Sequence, residues 1–207
     1  MNGKFVTVEG CDGVGKSTQV RLLRERLSKE GVDAVFTREP GGTDIAEKIR
    51  AVILDADNSD MDALTELFLY EASRCQHTNQ VIKSALDAGK LVVCDRYIDS
   101  TLAYQGYGRG LDVDMIKTLN RWAMGGVEID LTLFLDVNSA DGFSRKGGAS
   151  DGDRMEREKS DFYERVYNGF IAVANEEKRF VRVDASGTKY ETHEKLYAEL
   201  KSRGMLK

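Results

Sequence analysis

Gly10-Cys11-Asp12-Gly13-Val14-Gly15-Lys16-Ser17 matches GxxxxGK[ST] at every fixed position, and Thr18 follows it. The stretch sits between the apolar run Phe5-Val6-Thr7-Val8 and a segment carrying Val20, Leu22, Leu23 and Leu27 at helical spacing. In such a strand–loop–helix setting the glycines let backbone N–H groups turn inward around phosphates, and the helix aims the positive end of its dipole at them. Lys16 is then spaced to reach the β and γ phosphates, and the Ser17 hydroxyl to hold Mg²⁺. The reading is nucleoside triphosphate binding. Whether the chain is a kinase, a motor or a switch is left open by the loop alone.

Outward from this loop, short apolar runs recur at Ala34–Thr37, Leu91–Cys94, Leu131–Leu135 and Phe180–Val183. Helical patterns separate them, over roughly Lys16–Lys29, Asp44–Leu54, Asp62–Asp87, Val113–Met124, Lys159–Glu177 and Tyr190–Arg203. The alternation predicts an α/β fold with a five-stranded parallel sheet flanked by helices, whose ligands gather at the carboxyl ends of the strands. Residues 1–207 read as one domain. The glycine-rich stretch Arg145–Arg154 is the exception to packed structure and is expected to be a short mobile lid, at about 144–156.

Composition narrows the partners. The 207 residues are 41% hydrophobic and 31% charged, with a net charge of −5 and no long block of one sign. An acidic chain is a poor partner for a nucleic-acid polymer, which demands clustered Lys and Arg. Cys11, Cys75 and Cys94 form no CxxC pair and read as reduced thiols. No cationic, apolar leader and no span-length apolar stretch is seen, so the expected location is cytoplasmic, with no membrane partner.

Several constellations follow the strand ends. Arg38-Glu39-Pro40-Gly41-Gly42-Thr43 contains the sole proline and reads as a loop of one specified shape, with Arg38 available to a phosphate. Asp95-Arg96-Tyr97 delivers an acid and a guanidinium together, Asp95 for Mg²⁺ or its waters and Arg96 for an acceptor phosphate. Tyr70 and Arg74, four apart on one helical face, suit stacking on a base and donating to its carbonyl; taken alone, such a pair is more often a core edge with a snorkelling arginine. Thr101, Tyr104 and Gln105 are read as a short turn presenting polar groups, and Gly106-Tyr107-Gly108-Arg109-Gly110 as a loop. His77 and His193 have no pattern for metal or acid–base work and read as incidental.

Taken in order, GxDGxGKST, REPGGT, a helix with the arginine, DRY, AYQGxGRG, LDV and DRxE resemble the thymidylate kinase family over nearly the whole chain. The resemblance implies a nucleoside monophosphate kinase fold, transfer of the γ-phosphate of ATP to dTMP with Mg²⁺, and a homodimer. It implies ATP binding by residues 10–18 with Asp184 and Ala185 along the adenine. It implies dTMP binding by Asp12 at the 3′ hydroxyl or in the metal shell, Arg38 and Arg96 at the phosphate, Tyr70 and Arg74 at thymine, Thr101 and Gln105 at the base edge, and Tyr104 against the 2′ carbon. Ser17 and Asp95 are the implied metal residues.

The lid departs from the family pattern: bacterial relatives without a basic residue in the phosphate loop place several arginines before DRxE, whereas this chain has Arg145 and Lys146 and then Gly147-Gly148-Ala149-Ser150. Lys16 and Arg154, helped by Arg145, are therefore expected to neutralise the transferring phosphoryl when the lid closes. The alternatives are another P-loop nucleoside or monophosphate kinase, or a P-loop switch. No NKxD base-reading motif is present, and the third strand ends in Asp-Arg instead of the Asp-Glu of motor ATPases.

Overall fold

In the computed structural model, which describes residues 3–145, 147 and 152–206, the five expected strands are all present. They are β1 Lys4–Glu9, β2 Ala34–Arg38, β3 Leu91–Asp95, β4 Leu131–Asp136 and β5 Phe180–Asp184. They form one parallel sheet in the order β2-β3-β1-β4-β5. The connection leaving β1 runs toward β2 at one edge of the sheet, while that leaving its neighbour β4 runs toward β5 at the other. That topological switch point is where a parallel sheet opens a crevice at its carboxyl edge.

Helices follow the periodicity closely. α1 (Lys16–Lys29) turns Leu23 and Leu27 wholly inward, and α2 (Asp44–Leu54) is capped by the Thr43 hydroxyl, which accepts from Ala46 N at 3.2 Å. α3 (Ala63–His77) is capped by the Asp62 carboxylate, continues through a π-helical stretch at Thr78–Ile82 and ends as α4 (Lys83–Asp87). α6 (Val113–Met124), α8 (Ser160–Glu176) and α9 (Lys189–Ser202) lie where expected, α9 opening with a Thr188–Glu191 capping box. α7 (Ser139–Arg145) was not anticipated from sequence. Of the expected lid, residues 146 and 148–151 lie outside the described residues.

One correction concerns Thr101–Gly108. The sequence suggested a turn and a glycine loop, but the backbone is helical: α5 (Ile98–Thr101) runs into a π-helical stretch over Leu102–Gly108. Glycine disfavours helices in isolation, yet here it permits close packing on α8. A Cβ on Gly108 would lie 2.7 Å from Phe162 Cε2 and 3.0 Å from Val166 Cγ2. Burial of Leu102, Ala103, Tyr104 and Gln105 then outweighs the local propensity. The core on this side is aromatic, with Phe134 and Phe170 stacked at 5.1 Å and Tyr104 edge-on to Phe162 at 6.0 Å.

Candidate active site

The carboxyl edge of the sheet opens into a cleft of about 480 Å³. Its floor at one end is the loop from β1 to α1. Gly15, with φ 98°, caps α1 without any side-chain hydrogen bond, so first-turn N–H groups of this helix face the cleft with no competing cap. Lys16 is buried and folds back over the loop, donating to Gly10 O at 3.0 Å and Cys11 O at 2.7 Å. Burial, and next the nearby Arg96 cation, hold the Lys16 pKa below its ordinary value. An arriving anion would relieve both effects. Ser17 Oγ donates to Asp95 Oδ2 at 3.2 Å, bringing two oxygen ligands together beside the loop.

Gly13, Gly15, Ser17 and Thr18 line the cleft with Lys16. Gly10, Cys11 and Val14 lie beneath it: Cys11 and Val14 are buried in the core, and burial pushes the Cys11 thiol up to about 12. All three cysteines are free thiols.

Beside the loop and beyond it, Arg38, Tyr70, Arg74, Arg96, Thr101, Tyr104 and Gln105 line the same cleft, with Asp12 of the loop among them. Arg96 Nη2 reaches Asp12 Oδ1 at 2.5 Å and the Tyr104 hydroxyl at 3.1 Å, while its Nη1 donates to Ser100 Oγ at 2.9 Å. Asp12 also accepts from Tyr104 and Tyr163 hydroxyls at 3.1 and 3.2 Å. Arg38 Nη1 donates to Pro40 O at 2.8 Å, across the cis Glu39–Pro40 peptide bond, and its Nη2 pairs with Glu47 at 3.0 Å. Thr101 Oγ1 is buried with no hydrogen-bond partner among the described residues.

Arg74 corrects the snorkelling reading. Its side chain is only 2% exposed and is held by Glu39 at 2.8 Å, Glu71 at 2.7 Å, Asn120 at 2.8 Å and Tyr97 O at 3.2 Å. These bonds occupy Nε, both Nη1 hydrogens and one on Nη2; the other Nη2 hydrogen has no hydrogen-bond partner among the described residues. His77, read as incidental, is wholly buried and ties Thr37 Oγ1 (2.6 Å) to Glu39 Oε1 (2.9 Å). Thr37, His77, Glu39 and Arg74 thus form one continuous polar network beneath the cleft.

Four expected site residues lie elsewhere. Arg145 Nη1 and Nη2 donate to Ala185 O at 3.0 Å and Ser186 O at 3.1 Å, so it clasps the loop after β5 and does not line the cleft. Asp184 is engaged by Lys195 at 2.7 Å and by Ser186, which hold its carboxyl far below the usual range, and Ala185 is buried beside it. Arg154 is buried, donates to Ile53 O at 2.8 Å and pairs with Glu66 at 2.6 Å, off the hydrogen-bond axis; it too lies outside the cleft lining.

Sequence reasoning missed Arg50, whose Nη1 shares the Pro40 carbonyl with Arg38 at 2.9 Å. Burial, with Arg38 beside it, lowers the Arg50 pKa. Its signal was its place two turns into the helix that follows the proline loop. Glu9, wholly buried at the end of β1, was also missed. Burial and the neighbouring Asp99 push its carboxyl up to about 8, against the Ser100 hydroxyl, Arg96 and the Tyr97 N–H, which favour the charged form.

A family profile described as Thymidylate kinase matches residues 8–196. The chain belongs to the thymidylate kinase family. Among curated family members, the Halothermothrix orenii thymidylate kinase is 48% identical over 204 residues, covering 97% of this chain and 98% of its own. The Synechococcus sp. (strain JA-3-3Ab) thymidylate kinase is 48% identical over 200 residues, 96% of each chain. Among solved structures, the thymidylate kinase from Ehrlichia chaffeensis superposes with a TM-score of 0.80 at 34% identity, covering 97% of this chain and 100% of that one. The fold is accordingly the P-loop monophosphate kinase fold of this family.

Proposed function

We infer that this family member transfers the γ-phosphate of ATP to dTMP, giving ADP and dTDP. The observation that carries the reading is the meeting of two cation sets over one cleft: Lys16 on the phosphate loop, and Arg38 and Arg96 beside it. Phosphoryl transfer needs positioning and charge neutralisation more than covalent help, and a cleft so arranged supplies both. ATP takes the loop formed by residues 10–18, with its adenine toward Asp184 and Ala185. The dTMP phosphate takes Arg38 and Arg96, with Arg50 beside them. Thymine lies between Tyr70 and Arg74, with Thr101 and Gln105 at its edge, and Asp12 and Tyr104 take the sugar.

The residues present fit a magnesium ion. Ser17 and Asp95 offer hard oxygen ligands, the number Mg²⁺ usually takes from protein when phosphates and water complete its shell. Once bound there it would offset phosphate charge. Lys16 and Arg96 supply the fixed cations of the site. Arg154 joins them only by exchanging Glu66 for the transferring phosphoryl, and Arg145 stays with the loop it clasps.

The chain acts as a homodimer through α2, α3 and α6. In support, Leu64, Phe68, Ala72 and Cys75 form an exposed stripe along α3, with Phe68 52% exposed, flanked by Ile45 and Val52 on α2 and by Trp122, 81% exposed, on α6. Residues 1–207 act as one domain with its lid at 144–156. The expected compartment is the cytoplasm; no helix among the described residues is long and apolar enough to cross a membrane.

ADP release measured with ATP and a panel of nucleoside monophosphates tests the reading. Turnover should be highest with dTMP. Strong turnover of dCMP or AMP with none of dTMP would overturn it.

A further inference from the structure

Arg96 has φ 69°, and it is the one non-glycine residue with positive φ among those described. An L-residue in that region is strained and stays there only when its surroundings insist. The surroundings here are specific. Arg96 N donates to Val8 O at 3.0 Å, and the next amide, Tyr97 N, donates to Glu9 Oε1 at 2.7 Å. The other oxygen, Glu9 Oε2, accepts from Ser100 Oγ at 2.6 Å, and that same hydroxyl accepts from Arg96 Nη1 at 2.9 Å. One wholly buried carboxyl therefore fixes both the backbone turn that launches Arg96 and the hydroxyl against which its guanidinium rests.

We propose that Glu9, acting through Ser100, is a positioning residue that aims the Arg96 guanidinium at the acceptor phosphate. The proposal rests on the assignment of Arg96 to the dTMP phosphate. Neither Glu9 nor Ser100 has to touch the phosphate. Ser100 lies at the cleft wall, whereas Glu9 lies behind it on the central strand. Without the pair, the guanidinium keeps Asp12 and Tyr104 as hydrogen-bond partners on Nη2, and Nη1 has none among the described residues. The expected loss is selective for the phosphate end of the acceptor: the thymine contacts come from Tyr70, Arg74, Thr101 and Gln105, which this pair does not bond.

Calorimetric titration of dTMP and of thymidine, the acceptor without its phosphate, separates this role from a merely structural one. Ser100→Ala removes the relay with little change of volume. Glu9→Ala removes the carboxyl that accepts from Tyr97 N and from the Ser100 hydroxyl. Each should weaken dTMP by about tenfold, the scale of one lost hydrogen bond to a charged group, with thymidine and ATP affinities within about twofold. If either variant fails to fold, the other carries the test.

Equal loss of thymidine and dTMP affinity overturns the proposal in favour of general disorder of the site. So does an unchanged dTMP-to-thymidine ratio in both variants when Arg96→Ala changes that ratio. If Arg96→Ala leaves the ratio unchanged too, the assignment of Arg96 to the phosphate fails first and takes the proposal with it.

Discussion

Raising the pH should destabilise this protein through Glu9 over a defined window. The carboxyl is wholly buried and its pKa rises from an ordinary 4.5 to about 8. Below pH 4.5 the carboxyl is protonated whether the chain is folded or not. Between that point and about 8 the native protein keeps a proton that the unfolded chain has released, so stability falls as pH rises; above the window the slope vanishes. At about 1.4 kcal/mol per pH unit, the effect across the window is on the order of a few kcal/mol. That is a large part of the stability of an ordinary domain.

Urea unfolding of the wild type and of Glu9→Gln from about pH 5 to about pH 9 isolates the effect, since every other titrating group is shared. The wild type should lose its advantage over the variant steadily up to about pH 8 and not beyond. Stability curves that run parallel across the range would refute the argument, because they would mean Glu9 binds protons equally in the folded and unfolded states.

Gly108→Ala puts a Cβ within 2.7 Å of Phe162, and overpacking of this kind should cost about 1–3 kcal/mol, read as a lower Tm; an unchanged Tm would mean that α8 yields freely. Arg154→Ala should lower kcat by about 100-fold with little change in the KM for dTMP, the scale of a lost donor to developing charge, and unchanged turnover would remove Arg154 from the chemistry. Chelation of divalent cations should abolish turnover while leaving dTMP affinity within about twofold; full activity in chelator would count against Ser17 and Asp95 as metal residues. Phe170→Ala, at a wholly buried ring stacked on Phe134, should cost about 3–5 kcal/mol in denaturant unfolding, and a loss under about 1 kcal/mol would mean that the aromatic core refills the space.

The strands were legible because each is a short apolar run closed by polar residues, and in a parallel sheet buried on both faces that run is the whole signal. The phosphate loop was legible for a different reason: its spacing is a covalent property of the chain. The helix at Thr101–Gly108 was not. Glycine's local preference argues against a helix, and only contact with Phe162 and Val166, more than fifty residues away in sequence, reverses it.

The same holds for the buried polar groups. Nothing near Arg74 in sequence announces Glu39 or Asn120, and nothing near His77 announces Thr37. These networks depend on the order of the strands, which brings the end of β2 beside α3. Arg154 was read from its motif as a cation for the cleft, and its partner Glu66 on α3 is a feature that only the folded chain reveals.

A crystal structure with dTMP and a non-hydrolysable ATP analogue bound together is the most direct test of the central claim. The account predicts two phosphate chains meeting end to end, the donor's terminal phosphate at Lys16 and the acceptor's phosphate between Arg38 and Arg96, with thymine against Tyr70 and Arg74. Guanidiniums of Arg38 and Arg96 turned away from the acceptor, or a cleft that admits one nucleotide only, would contradict it.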